Sequence, residues 1–511
     1  MSETIRKLSV VDSAFLFAET AECPMHVGSL TIVKLPDGYT GDFYEEFKSR
    51  IGSRIDRAKS LRWKLAQTPF DIDRPSWIED EQFDLDRHVL RGALPEPHDV
   101  AVQRVAGWLH AMALNRARPL WEIYVFEMAG NEAAIYSKMH HALIDGGAGA
   151  ALTEILYDSS AEGGEAPAPR PAPPRTPPLK KQEVRDVASS MFAAYAELWR
   201  APMSSAGLGK LELPRRGGTD LASVLLDAAI HQAEWPLRFS ANFSEIASAY
   251  QAAISNAFKP ESLKALESLS APSTPINVAI SSERSFSAVT IPMKRVKAVA
   301  AAAGGKVNDV VLALSSGVLR RYLSEGDALP KKSLTAFVPI SAREAGDAEL
   351  KNQVFGMVVP LATDIDDPKT RLASIVAGAT NSKAMANPFR ALMPHFAEIP
   401  TFGSPMLLQL LALFYGRSRL ADSIPPPFNV VVSNVFFSRA PIYMAGARIE
   451  HVYPMSIPIH GQALNITVHG YVDGLDFGFI AGANVVPDVQ RIGRMLSGEL
   501  AELERAYGLT A

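Results

Sequence analysis

The chain has 511 residues, 47% of them hydrophobic and 21% charged, with a formal net charge of -4. This is the balance of a globular protein too long for one ordinary core, so two domains are expected, and nothing in the charge favours nucleic acid. The single cysteine, Cys23, excludes an internal disulfide and fits a reducing cytoplasm. Beside Pro24 and His26 it is read as a passive thiol. Met1 to Val11 has no apolar run of signal-peptide length, so no export is expected.

Along the first third, the pattern predicts a strand at Ser29–Val33 and a helix around Phe43–Ile55. His88, after Phe83-Asp84-Leu85, is expected to be a structural residue at a strand edge. Val102, Val105, Leu109 and Met112 recur at helical spacing, on a helix that must end before Arg118-Pro119. Pro119-Leu120-Trp121-Glu122 then opens a strand through Phe126. Gly130-Asn131 turns it back into a buried strand, Ala133 to Met139, so the two segments neighbour each other in one sheet. A buried tryptophan in a plain core strand explains Trp121 equally well.

That returning strand ends in His140-His141-Ala142-Leu143-Ile144-Asp145-Gly146-Gly147, followed by a small-residue helix from about Ala148. Histidine ionises near neutral pH, so one of the pair can take a proton from a hydroxyl or a thiol. Asp145 can hold the turn by accepting backbone N–H groups or an arginine, while Gly146 and Gly147 permit close chain approach. Two satisfied core histidines are the alternative, and a metal pair is a third. Adjacent histidines on an extended segment point to opposite faces, which makes ligation of one ion awkward.

Ala161 to Pro178 is rich in proline, alanine and glycine and reads as an extended linker. The expected organisation is therefore an N-terminal domain over 1–160, a linker over 161–180, a helical crossover over 181–275 and a C-terminal domain over 276–511. Within the crossover, Val184–Trp199 and Leu221–Ile230 carry helical patterns. In the last domain, a helix near Lys294–Ala303 is stopped by Gly304-Gly305, and Asn308 or Asp309 caps the next. Phe428–Val432 reads as a strand leading into Ser433-Asn434-Val435. Gly461–Gly470 and Leu475–Ile480 form a hairpin about Asp473-Gly474. The most apolar run, Met406–Tyr415, is half the length of a membrane span. No metal-ligand spacing, phosphate-binding loop or serine or cysteine nucleophile motif is present.

Leu-Ser-Val-Val-Asp at Leu8–Asp12, Pro24-Met25-His26-Val27-Gly28, Pro119-Leu120-Trp121, H-H-x-x-x-D-G at His140–Gly146 and Asn308–Ala313 follow one another along the chain. In this order they resemble the bacterial wax ester synthase/acyl-CoA:diacylglycerol acyltransferases, of the chloramphenicol-acetyltransferase-like superfamily. The resemblance implies an α/β (α+β) fold of two chloramphenicol-acetyltransferase-like domains, each a mixed sheet with helices, and an active-site tunnel between them. It makes His141 the general base, Asp145 structural and Gly146 the residue that leaves room for substrate. His140 supports the site, and its replacement by alanine is expected to act mainly through packing. Asn308 and Asp309 belong to a family motif, and Ser433 or Asn434 is a candidate donor to the oxyanion.

The implied reaction moves a long-chain acyl group from acyl-CoA, a co-substrate rather than a cofactor, to diacylglycerol or a long-chain alcohol. The implied setting is cytoplasmic, peripheral on the inner membrane face or on lipid droplets. Where the family has Pro-Gly-Pro after Ser-Asn-Val, this chain has Phe436-Phe437-Ser438, a bulkier and more apolar corner. Acylation of another lipid or polyketide-derived alcohol is an alternative, and a lipid-surface protein that has lost catalysis is another.

Overall fold

Alternation and turn chemistry dictate the first sheet. The computed structural model describes residues 6–8, 10–66, 75–143, 149–162, 271–341, 354–378, 416, 419–423 and 425–509, all within one unit of the chain. Trp121–Glu127 and Glu132–His140 form an antiparallel hairpin with Trp121 opposite Met139. Gly130 and Asn131 both take positive φ, 76° and 62°, which gives the loop the twist a tight hairpin needs. On one face Ile135 and Met139 pack with Phe47 and Ile51 of the helix Phe43–Arg54. On the other, Ala134 and Tyr136 meet Val102 and Leu109 of the helix Asp99–Ala111. Each fully buried aliphatic side chain here contributes about 1.5–3 kcal/mol.

His26–Lys34 pairs with the far side of the histidine strand, placing His26 directly opposite His140. The six-stranded order continues outward from His26–Lys34 through Ala447–Met455 to Tyr443–Met444. Two strands from the end of the chain thus complete the first sheet, so a boundary at residue 276 does not separate the two sheets. The physical reason is an edge: without Ala447–Met455, the backbone groups of His26–Lys34 that point away from the histidine strand would lie unpaired.

The second sheet also has six strands, ordered Val354–Pro360, Thr335–Ser341, Val430–Ser438, Leu464–Tyr471, Gly474–Gly482 and Arg284–Pro292. Leu464–Tyr471 and Gly474–Gly482 are the expected hairpin. Val430–Ser438 extends beyond the expected strand and carries Ser433 and Asn434 within it, parallel to both neighbours. Helices Met293–Ala302, Val307–Glu325 and Val489–Ala506 cover this sheet, burying Val310, Leu314 and Val318 against Ile466, Phe477 and Leu496.

The two sheets meet where Ala447–Met455 passes Gly474–Gly482. The buried Asp476 carboxylate accepts from Val452 N–H at 2.7 Å, Thr290 Oγ1 at 2.6 Å and His451 Nδ1 at 3.2 Å. Nearly the whole of the linker and of the helical crossover, and all of Met406–Tyr415, lie outside the described residues. Among the described residues no single helix is long and apolar enough to cross a membrane.

Candidate active site

The strand Glu132–His140 delivers its histidines into a single helical turn, His141–Leu143. Two backbone bonds fix the place where strand becomes turn: His140 N–H donates to Leu120 O at 2.9 Å, and His141 N–H to Met25 O at 2.8 Å. Pro119-Leu120-Trp121 therefore acts on the site through a carbonyl. Trp121 itself is core, its indole N–H donating to Leu61 O at 2.7 Å and its ring stacked on His88. His88, buried and bonded to Trp121 O at 2.8 Å, is structural as expected.

His141 is half-buried, with its ring stacked on Phe15 at 3.9 Å between centroids. Burial pulls its pKa down to about 4. The imidazole is thus neutral at pH 7, and its Nδ1 has no hydrogen-bond partner among the described residues. Around it, Phe15 and Met25 belong to an apolar cluster with Ile280, Ile459 and Ala463, so both ends of the chain line this corner.

His140 does more than pack. Its Nδ1 accepts from Ala142 N–H at 3.1 Å, which closes the turn that carries His141 and leaves the ring proton on Nε2. That Nε2 lies 3.8 Å from Glu19, whose carboxylate is held by Arg116 at 2.9 Å. Opposite it, His26 Nε2 donates to His110 O at 2.7 Å, so His26 Nδ1 is a bare acceptor. His110 in turn donates from Nε2 to Ser456 O at 3.0 Å and accepts from Tyr136 Oη at 2.8 Å. Burial holds all three rings neutral, with the His110 pKa lowered to about 3.

The sequence reading assigned no role in the site to His26, His110 or Glu19. His26 had a signal, since a histidine in the strand that pairs with the His140 strand can stand opposite it; Glu19 and His110 had none.

From the second half, Asn308 and Asn434 come together, Asn434 Nδ2 donating to Asn308 Oδ1 at 3.4 Å. The helix is capped by Lys306 rather than by Asn308 or Asp309; Asp309 is the third helical residue, whose carboxylate reaches back to accept from Lys306 N–H at 2.7 Å as half of a capping box. Strand alternation turns Ser433 to the face opposite Asn434, so one of the two, not both, faces Asn308. Asp145 and Gly146 lie outside the described residues. Among the described residues no group of three His, Cys, Asp or Glu side chains is placed to hold a metal ion. Cys23 is buried, and burial raises its pKa, the state of an unreactive thiol.

The sequence pattern of the wax ester synthase/diacylglycerol acyltransferase catalytic domain matches residues 8–311, and that of the family's C-terminal domain matches 350–504. The chain belongs to the wax ester synthase/diacylglycerol acyltransferase family. A putative diacylglycerol O-acyltransferase of Mycobacterium tuberculosis is 34% identical over 98% of this chain and all of its own length. A probable diacylglycerol O-acyltransferase of the same organism is 33% identical over 98% of both chains. The wax ester synthase/diacylglycerol acyltransferase of Marinobacter aquaeolei VT8 superposes with a TM-score of 0.65 and 26% identity, covering 98% of this chain and all of that one.

After Ser433-Asn434-Val435 the strand runs on through Ser438 with a bulge at Phe437. The Phe437 ring lies flat on His469 at 5.3 Å and edge-on to Tyr157 at 5.5 Å, which knits this corner to the first sheet's core. Phe436 is 61% exposed, beneath the Arg439 guanidinium.

Proposed function

We propose that this protein transfers a long-chain acyl group from acyl-CoA to the hydroxyl of diacylglycerol or of a long-chain alcohol, with His141 as general base. A neutral, half-buried imidazole at the end of the H-H-x-x-x-D-G strand, in an apolar corner, is the observation that carries the reading. The alcohol oxygen attacks the thioester carbonyl as His141 takes its proton. The oxyanion that forms needs a donor, and Asn434 retains one amide N–H after its bond to Asn308. When the tetrahedral intermediate collapses, the imidazolium returns the proton to the departing CoA thiolate. A thioester is already activated, so no covalent enzyme intermediate and no cofactor is required.

Apolar substrates place the enzyme at a lipid surface, the inner membrane face or a lipid droplet, in the cytoplasm. The test is thiol release from a long-chain acyl-CoA with diacylglycerol or a fatty alcohol as acceptor. His141→Ala should lower acceptor-dependent release by about 10²–10⁴-fold in a folded protein. Wild-type rates in that variant would remove His141 from the mechanism. No release with either acceptor would favour another donor or acceptor, or a lipid-surface protein without catalysis.

A further inference from the structure

A groove of about 460 Å³ opens between the helix Asp99–Ala111, the strand Arg284–Pro292 and the start of the helix Val489–Ala506. Its charged walls are Arg104, Arg284, Arg491 and Arg494, set against the single carboxylate of Asp488. Arg491 is committed to Glu325 and Asp488, and Arg284 is buried, donating to the carbonyls of Ser281, Glu283 and Glu22. Arg104 and Arg494 are exposed, and among the described residues neither has an acidic partner. With Arg491 offset by Glu325 and Asp488, the guanidinium groups of Arg104, Arg284 and Arg494 leave the concavity net positive, and guanidinium forks match phosphate oxygens. Trp108, 62% exposed, stands one helical turn beyond Arg104 and offers a face on which a purine can stack.

We propose that this groove binds the phosphates of the nucleotide end of the CoA donor, with Arg104 and Arg494 as their direct ligands and Trp108 beside the adenine. The proposal rests on the acyl-CoA reading above and adds to it where the donor is held. Reach supports it. Arg284 grips Glu22 O, Met25 O holds the N–H of His141, and three residues of chain separate those carbonyls, at most ~11 Å. The pantetheine arm between thioester and pyrophosphate is about as long as five extended residues, ~17 Å. The span from Glu22 O to Met25 O is thus shorter than the arm, which is the reach the proposal asks of a nucleotide held beside Arg284. Arg284, tied to carbonyls, contributes charge to the groove rather than a free donor.

The experiment is calorimetric titration of the full chain with CoA and with pantetheine, which lacks the nucleotide. Wild type should bind CoA the more tightly. The double variant Arg104→Ala/Arg494→Ala should bind CoA at least tenfold more weakly, with its affinity for pantetheine the same as wild type. Both positions are exposed, so folding is not at issue; Arg87→Ala, another exposed arginine, is the control that should retain CoA affinity. Equal CoA affinity in variant and wild type would overturn the proposal, as would a wild type that binds the two ligands alike. Loss of binding to phosphatidylglycerol vesicles with CoA affinity intact would also overturn it, giving the arginines to a membrane surface. A protein that binds CoA through these arginines yet transfers no acyl group would sink the reaction and leave the nucleotide site standing. A transferase whose CoA affinity ignores both arginines would do the reverse.

Discussion

His141 illustrates what burial does to a base. A ring stacked on Phe15 in an apolar corner is costly to charge, so its pKa falls to about 4 from the ordinary histidine value. The sign follows directly: above pH ~4 the imidazole keeps its lone pair, and only below that is the base lost to protonation. The acid limb of kcat/KM should accordingly fall near pH 4 to 5 in a pH-rate profile; a limb near 6.5 would mean that the ring is solvated in the working enzyme. Stability runs the same way. The unfolded chain protonates its histidines near pH 6.5, so the buried neutral rings cost the fold up to about 1.4 kcal/mol each per pH unit on acidification below that value.

The elements show what a sequence reveals and what it withholds. Gly130-Asn131 announced its hairpin because two positive-φ residues in succession suit little else. The helices at Phe43 and Val307 were legible from apolar spacing, and H-H-x-x-x-D-G from its residue types. Ala447–Met455 was not read as a strand of the first sheet, because periodicity records which face is buried and not which strand lies alongside. The place of His26 beside His140 was hidden for the same reason. Gly478 is an element-scale test of that packing. A Cβ there would come 1.8 Å from Pro454 O, a backbone atom of the other sheet, whereas at Gly130 it would meet nothing within 4 Å. Gly478→Ala should therefore cost about 3 kcal/mol or more, read as a fall in Tm. Gly130→Ala should cost only about 1–2 kcal/mol, for its positive φ. Equal losses at the two sites would show that the sheets do not touch there.

For the whole molecule, one buried carboxylate stands at the contact between the sheets. Asp476 sits on the second sheet, yet accepts from Val452 N–H of the first, and Thr290 and His451 complete its partners. Asp476→Ala would strip the buried Val452 N–H of its acceptor and leave Thr290 and His451, among the described residues, with only each other and Tyr453 as partners. Its denaturation midpoint in guanidinium chloride should drop by the equivalent of about 2–5 kcal/mol. An unmoved midpoint would mean that the apolar packing and the other hydrogen bonds between the sheets, such as Tyr471 Oη to Ile449 O, hold them without it. The pairing that carries this contact also sets a timetable. On the ribosome, His26–Lys34 emerges about 400 residues ahead of its partner Ala447–Met455, a wait of roughly 20–80 s at ordinary elongation rates. Throughout synthesis the first sheet offers a bare edge of hydrogen-bonding groups, so the nascent protein is a natural client for chaperones, and a chain cut short before Ala447 never closes that edge.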